Sequence, residues 1–421
     1  MTEPAQPADH RLVVIGVGAD GWAGLSAPVR ARVAAADVVL GGERHLAAVP
    51  SREGQLREPW PRPLRDGLPA LLERHADRSV VALASGDPLV SGIGSTLLRL
   101  LGPAAVEVVP AVSSIALARA RMGWPAESCA VVSLVGRDAH ALLREAVPGR
   151  RVLVLSADER TPGEVAALLD SVGLGDARLH VLGDLGGAAE SRVDGVASSW
   201  AVDPADLPRL HVLALEVAGG PPVPLGWTAG LPDEAYEHDG QLTKRDLRAS
   251  ALARLAPRPG EVLWDVGAGA GSVGIEWMRA HPACRTVAVE QHPERAARVA
   301  RNAARLGVPA LEVVTGRAPE SLAGLPAPDA VFVGGGATAP GVLEACRAAL
   351  RPGGRLVVHG VTLETESLLA AQRAAHGGEL TRVAVETASA IGGFTGWTPA
   401  RAVVQWAWTA PPSVSQGGAD R

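Results

Sequence analysis

The chain has 421 residues, more than one ordinary domain, and its 47% apolar content is ample for two or three packed cores. A net charge of −5 and the lack of a basic, aromatic-rich patch exclude a nucleic-acid binder of the usual kind. Three cysteines (Cys129, Cys284, Cys346), far apart and without CxxC or histidine spacing, exclude a disulfide framework and a structural zinc site, and no metal is expected. Residues 1–10 lack the basic and apolar regions of a signal peptide, and no apolar run is long enough to span a bilayer, so a cytoplasmic protein without membrane contacts is expected. The chain has one Lys (Lys244), one Tyr (Tyr236) and one Asn (Asn302). A composition that replaces Lys by Arg explains the rarity, yet a lone Lys and a lone Tyr eight residues apart invite attention.

In chain order, a strand over 11–16 runs into the glycine-rich turn Val-Gly-Ala-Asp-Gly-Trp, and a helix follows over 26–36 with Pro28 in its first turn. Strands at 80–84, 106–109, 130–134, 151–155, 178–182 and 211–217 alternate with helices at 93–101 and 113–122. That alternation predicts α/β architecture with mainly parallel sheets. Gly and Pro crowd residues 218–232 and resist both helix and strand, which places a domain boundary there. The expected division is a first domain at 10–218, a linker at 219–232, a second domain at 233–411 and a disordered tail at 412–421.

The second domain opens with Thr243-Lys-Arg-Asp246, which reads as a capping box, and Leu247, Ala251, Leu252 and Leu255 then line one helix face until Pro257. Strands follow at 262–266, 286–290, 311–314, 330–333 and 355–359. Two last strands at 380–390 and 401–409 are joined by the loop 391–397. Between the first of these strands and its helix lies Asp265-Val-Gly-Ala-Gly-Ala-Gly271, followed by Ser272. Glycines let the backbone approach a ligand, and the free amides of the next helix point at it, so this is a nucleotide cradle. A dinucleotide fingerprint calls for glycine at 272 and has no need of Asp265. S-adenosylmethionine explains Asp265 as a carboxylate for the cofactor's ammonium group. Glu290, 19 residues after Gly271 at the end of the next strand, can accept two ribose hydroxyls and suits either cofactor.

Five ordered motifs carry a resemblance in the second half: Leu231–Tyr236, Gly240–Asp246, Asp265–Gly271, Gly316–Glu320 and Val333–Gly336. They resemble the cobalamin-pathway methyltransferases that act at carbon 15 of the corrin precursor and decarboxylate it. In the first half, Ile15–Gly18 with Asp20-Gly-Trp22, Ser85–Pro88 with Ser91–Gly94, Pro110–Ser114 and Leu134–Gly136 resemble the tetrapyrrole methylases. Residues 21–25 and Met122–Pro125 point to the members acting at carbon 5. The order of the two halves is similar to the fused, decarboxylating C-5,15-methyltransferase family.

The resemblance implies a two-lobed tetrapyrrole methylase (class III methyltransferase) fold followed by the doubly wound, Rossmann-like sheet of class I methyltransferases. It also implies one S-adenosylmethionine in each domain, a small-molecule tetrapyrrole substrate and a homo-oligomer. In the first domain Gly16, Gly18, Gly86, Asp87, Ile93, Ser113 and Ser114 would line the cofactor cleft. In the second, Thr243, Asp265, Gly267, Ala268, Gly269, Ala270, Gly271, Glu290 and Ala318 would. Arg317 stands where the family usually has an Asp to accept the adenine amino group, so that contact would fall to neighbouring backbone.

Carbons 5 and 15 lie in electron-rich systems that attack a sulfonium methyl in line, and loss of carbon dioxide from the ring C acetate needs a general acid and a poorly solvated carboxylate. Candidates are Asp87 in the first domain and Tyr236, Asp239, Lys244 and Arg245 in the second. For each there is a structural alternative: a turn residue for Asp87, a core aromatic for Tyr236, a solvated first-turn charge for Lys244. His359 is expected to be structural and the loop 392–397 either a substrate cover or a connection. The competing functional readings are methylases of another tetrapyrrole or small molecule, and a first half that only binds.

Overall fold

The computed structural model of the protein describes residues 12–218 and 225–412. The expectations for residues 1–10, for most of the tail after 411 and for the first part of the linker at 219–232 lie outside the described residues. These fall into two compact units, 12–137 with 149–218, and 138–148 with 225–412.

In the first unit, β1 (Leu12–Val17), β2 (Val38–Gly41), β3 (Leu56–Pro59), β4 (Val80–Ser85) and β5 (Val106–Val109) form an all-parallel sheet in the order β3-β2-β4-β1-β5. Its central strands are apolar on both faces, as a sheet covered by helices requires. Val14, Leu40 and Ala82 pack with Leu68, Leu71 and Leu97 on one side, and Ile15, Val39 and Leu83 with Val33 on the other.

The second sheet of this unit departs from the parallel expectation. It comprises β6 (Cys129–Ser133), β7 (Arg151–Leu155), β8 (Arg178–Gly183), β9 (Ser191–Val196) and β10 (His211–Glu216), in the order β6-β7-β10-β8-β9. Only β6 and β7 are parallel; β10 runs antiparallel to β7 and β8, and β9 to β8. Connection length is the reason. Seven residues separate β8 from β9, too few for the dozen or more that a parallel crossover needs.

The second unit is a seven-stranded sheet. β11 (Val262–Val266), β12 (Arg285–Glu290), β13 (Glu312–Thr315), β14 (Ala330–Val333) and β15 (Arg355–Gly360) are parallel in the order β13-β12-β11-β14-β15. The segment expected as one strand over 380–390 breaks in two: β16 (Glu379–Val383) joins the sheet edge, while β17 (Glu386–Ile391) pairs with β18 (Phe394–Pro399) in a separate hairpin. The chain then returns as β19 (Val403–Thr409), antiparallel between β15 and β16.

Side-chain alternation along β11 decides what each layer receives. Val262, Trp264 and Val266 face one layer with Val342, Leu343 and Leu369; Leu263 faces the other, with Leu252, Ile275, Trp277 and Val299. Asp265 shares Leu263's side of the strand, beneath the helix Ser272–Ala280.

A buried polar cluster ties residues 230–248 to that helix. Glu276, 4% exposed, accepts hydrogen bonds from the backbone N–H of Gly230 (2.6 Å) and Leu231 (3.0 Å), from the Tyr236 hydroxyl (2.8 Å) and from Arg248 Nε (2.5 Å). Arg248, fully buried, also donates to the carbonyls of Leu231 and Thr243, and its guanidinium lies 4.8 Å from the Tyr236 ring centroid. Every charge in the cluster is matched, so removal of one partner strands the other. Glu276→Gln is expected to lower unfolding free energy of the second unit by about 3–5 kcal/mol. Denaturant unfolding followed by the fluorescence of Trp264 and Trp277 measures it, and an unchanged midpoint would refute this account of the cluster.

Candidate active sites

In the second unit the strand order reverses between β11 and β14, the place where a doubly wound sheet leaves a crevice beyond its strand ends. Gly267 ends β11 with φ +69°, and a Cβ there would stand 2.8 Å from the Gly335 carbonyl oxygen beyond β14. Gly269, φ +59°, is as close to the Gln241 carbonyl. Side chains at either position would meet that backbone and push the walls of the crevice, about 880 Å³, out of place.

Of the residues expected at this cofactor site, Thr243, Gly267, Ala268, Gly269, Glu290 and Ala318 line the crevice. Glu290 Oε2 accepts from Gly269 N (2.9 Å) and Oε1 from His292 N (3.0 Å). A carboxylate has about four lone-pair positions, so two remain for a diol. Asp265, Ala270 and Gly271 do not line it. Ala270 is 1% exposed, and Gly271 admits Val299, whose Cγ1 lies 2.7 Å from where a Cβ would stand. Asp265 is the main correction. It is 1% exposed, and its Oδ2 accepts from Gly274 N (2.9 Å) under the helix, so the carboxylate expected to hold a ligand's ammonium group is tied to the fold instead. Burial pushes its pKa up to about 7; the Gly274 N–H opposes the shift and the Glu290 charge adds to it.

The four catalytic candidates of the second unit separate. Tyr236 is 4% exposed within the Glu276 cluster, its pKa well above the ordinary phenol value because of burial and the Glu276 charge. It is the core aromatic with a satisfied hydroxyl, away from the crevice. Asp239 pairs with Arg295 (2.9 Å) and Arg298 (3.1 Å) and accepts from Gln241 N; the Arg295 hydrogen bond foremost holds its pKa far below the carboxylate range. A carboxylate so held is no proton donor, and it fixes the loop 240–243 instead. Lys244 lines the crevice, half-exposed, 3.5 Å from Asp233. The capping box is not formed: Lys244 is the N-cap of the helix Arg245–Leu255, with no side-chain cap bond, and the Thr243 carbonyl is taken by Arg248. Arg245 is exposed in the first turn.

Several lining residues were not expected at the site: Arg401 carried no sequence signal, and His359 was expected to be structural. Arg401 enters from the start of the returning segment, Arg295 from the helix Pro293–Arg305, and His359 from the end of β15. His359 Nε2 lies 2.9 Å from the Gln405 side-chain amide and burial lowers its pKa, which keeps the ring neutral. The loop 392–397 is the turn and second strand of the hairpin, and none of its residues lines the crevice.

The first unit holds a smaller cleft of about 360 Å³. Gly18, Gly86, Asp87, Ile93, Ser113 and Ser114 line it as expected. Gly16 does not; a Cβ there would meet the Gly86 carbonyl at 1.8 Å, so its role is the approach of β1 to the turn after β4. Ser113 Oγ accepts from Ala116 N (3.1 Å) and caps the helix Ser114–Met122. Asp87 Oδ1 accepts from Leu89 N (2.8 Å), the turn role, while the residue also lines the cleft. Arg44, His45 and Trp60 form a further wall that the motifs did not mark.

Among the described residues no three His, Cys, Asp or Glu side chains cluster as a metal site, and no helix is long and apolar enough to cross a membrane. The three cysteines are free, and burial raises the thiol pKa of Cys284 to about 11 and of Cys346 to about 12.

Asp265 offers a pH test. Its folded pKa lies above the unfolded value, so its contribution is fully present below about pH 4 and is lost as pH rises through about 7. Asp265→Asn removes this titration. Relative to the parent, the variant is expected to gain thermal stability at pH 8 and to gain little at pH 4. A difference between the two proteins that stays constant across that range would contradict the assignment.

The chain matches two protein families: Tetrapyrrole (Corrin/Porphyrin) Methylases over residues 11–200 and Precorrin methyltransferase domain over residues 234–410. It is 46% identical over 401 residues to the precorrin-6Y C(5,15)-methyltransferase (decarboxylating) of Sinorhizobium sp., covering 94% of this chain and 96% of that one. It is 44% identical over 399 residues to the protein of the same name from Mycobacterium tuberculosis, covering 94% and 99%. A probable cobalt-precorrin-6B C(15)-methyltransferase (decarboxylating) of Pyrobaculum calidifontis is 40% identical over 143 residues, covering 33% of this chain and 73% of the relative. Near-complete coverage of both chains at this identity leaves one conclusion: the chain belongs to the family of precorrin-6Y C(5,15)-methyltransferases (decarboxylating).

Proposed function

We propose that this chain transfers methyl groups from S-adenosylmethionine to carbons 5 and 15 of precorrin-6Y and removes carbon dioxide from its ring C acetate. The first unit would act at carbon 5 and the second at carbon 15 and in the decarboxylation, each with its own cofactor site. One observation carries the reading. The 880 Å³ crevice joins a glycine cradle and Glu290 to a cationic wall of Arg317, Arg401 and Lys244, the last 3.5 Å from Asp233, with Arg295 beside them already paired to Asp239; among the described residues Glu290 is the only carboxylate residue lining it. A tetrapyrrole bearing acetate and propionate groups matches that charge; a neutral substrate leaves it unused.

The residues present fit the cofactor: glycines whose Cβ would fill the cradle, and a carboxylate with free lone pairs for a diol. Bound there, S-adenosylmethionine supplies an electrophilic methyl on sulfur. What the chain adds is alignment of a carbon nucleophile by the cradle on one side and the cationic wall on the other. Lys244 and Arg401 would hold substrate carboxylates, and the buried, neutral His359 in the lining would limit solvation of the acetate that leaves. Arg317, where the family usually has Asp, adds to this wall. In the first unit Asp87 is, among the described residues, the only carboxylate residue lining the cleft and would orient the methylated carbon or accept its proton.

The full chain incubated with precorrin-6Y and methyl-labelled cofactor is expected to yield a product two methyl groups heavier and one carbon dioxide lighter. Gly86→Ala, at φ +51°, should remove one methyl; Gly269→Ala should remove the other together with the decarboxylation. Lys244→Ala should slow the second-unit step at least tenfold, whereas Tyr236→Phe should leave it within about threefold, the scale of one hydrogen bond. No mass change with the parent protein would reject the function, and loss of decarboxylation in Gly86→Ala alone would reject the division of labour.

We also infer a homo-oligomer working in the cytoplasm. Phe394 and Trp397 on the β17–β18 hairpin are 84% and 70% exposed, and Ile391 is 59% exposed. A lone chain would leave this apolar ribbon in water. Light scattering should give a multiple of 43.1 kDa for the parent and the monomer mass for Phe394→Asp. A monomeric parent would refute the inference.

A further inference from the structure

The cofactor reading leaves one wall of the first-unit cleft without a role. Arg44 NH2 lies 2.8 Å from His45 Nε2 and donates to Ser85 Oγ at 3.0 Å; Ser85 Oγ is in turn 3.1 Å from the same His45 nitrogen. All three residues line the cleft. Burial, with Arg44 beside it, lowers the His45 pKa to about 4, so at neutral pH the ring takes the guanidinium proton as an acceptor. Arg44 is therefore held by two neutral groups, and no carboxylate of the described residues lies within ion-pair distance of it. Asp184 acts on it only through its field. A guanidinium has five N–H donors, and these neighbours occupy one NH2 group. A cation positioned this way, yet without an anion, is a site for one.

The mouth of the same cleft is apolar where it meets water. Val112, Val135 and Leu210 are 62%, 54% and 38% exposed, and all three line the cleft. They come from three separate places in the chain: the segment after β5, the segment after β6 and the approach to β10. Single exposed apolar residues are ordinary, but three gathered at one cleft mouth form a platform. At about 360 Å³ the cleft lies near the small end of ligand sites, about 300–1,000 Å³, which suits one nucleotide-sized molecule. A tetrapyrrole with its acid side chains is too large to share that volume with the cofactor and must lie across the mouth.

We propose that Val112, Val135 and Leu210 form a seat for the tetrapyrrole face and that Arg44, held by Ser85 and His45, anchors one of its acetate or propionate carboxylates. This rests on the carbon-5 methylation proposed above for the first unit, and assigns its substrate-orienting residues. Arg44 touches the substrate's periphery and sets its register over the cofactor floor formed by Gly86, Ile93 and Ser113. It takes no part in bond making.

Full-length Arg44→Gln, Arg44→Lys and Val135→Asp are compared with the parent in three assays: C-5 methyl gain by mass, equilibrium binding of precorrin-6Y without cofactor by absorbance, and calorimetric binding of S-adenosylhomocysteine. Arg44→Gln is expected to raise KM and the precorrin-6Y Kd at least tenfold, with kcat within about threefold and S-adenosylhomocysteine binding at the first unit unchanged. Arg44→Lys, which keeps the charge but loses the fork, should fall between. Val135→Asp should weaken precorrin-6Y binding by placing a like charge beside the substrate acids. Unchanged precorrin-6Y binding in Arg44→Gln overturns the anchor. Loss of S-adenosylhomocysteine binding instead also overturns it, by making Arg44 a cofactor residue. A parent chain that adds no methyl at carbon 5 fails the functional reading itself, a result visible before any variant is made.

Discussion

Both clefts depend on the same constraint, the approach of one backbone to another at the carboxyl end of a central parallel strand. In the second unit Gly267 meets Gly335 across the ends of β11 and β14; in the first, Gly16 and the Gly86 carbonyl meet beside β1. A side chain at either glycine would occupy the space that the neighbouring main chain now fills. The strand ends would then part, and the turns that line the cleft would lose their position. Gly267, Gly269 and Gly86 have positive φ, which glycine adopts without the steric cost carried by other residues. The clefts are in this sense products of backbone packing, with side chains added at the rim.

Charge divides the second unit into a sealed part and an open part. In the sealed part Glu276, Arg248 and Tyr236 satisfy one another, and Asp265 is tied to Gly274. These are fold-holding contacts, since a desolvated charge without a partner costs several kcal/mol. In the open part Lys244, Arg295, Arg317 and Arg401 face the crevice, with Glu290 as the only carboxylate residue among its described lining; Asp233 and Asp239, outside that lining, stand by Lys244 and Arg295. The charges of Arg317 and Arg401, which have no carboxylate partner among the described residues, are tolerable there because water or a ligand can answer them. The same contrast appears in the first unit, where Arg44 rests on neutral His45 and Ser85 in place of a carboxylate.

The parallel sheets were legible because alternating apolar runs and helical stretches leave few other arrangements, and β1, β4, β5 and β11–β15 lie where that pattern places them. The antiparallel half of the first unit was not. β7, β8 and β10 have the same apolar look as parallel strands, and the polar, largely exposed β9 (Ser191–Val196), whose short connection to β8 marks the antiparallel turn, carries no strand pattern. β17 and β18 escaped notice as a separate hairpin because no Gly or Pro lies between Glu379 and Ile391 to mark where β16 leaves the sheet, and the glycines at 392, 393 and 396 read as a plain connecting loop. Residues 138–148 lie between β6 and β7 in sequence yet group with the second unit, where Arg144 packs against Gly307; no local feature marks that.

By itself the sequence determined the cradle, its partner carboxylate Glu290 and the two-part organisation, because glycine spacing and strand endings are local properties of the chain. Only the tertiary structure decided which polar groups reach a ligand. Asp265 and Tyr236 sit within or beside family motifs and turn inward, because β11's alternation and the Glu276 cluster leave them no other direction. Arg401 and Arg44 carry no motif and line the clefts. A residue's type and spacing tell what chemistry it offers; the face on which its strand or loop emerges tells whether that chemistry is available, and that face is set by contacts from distant parts of the chain.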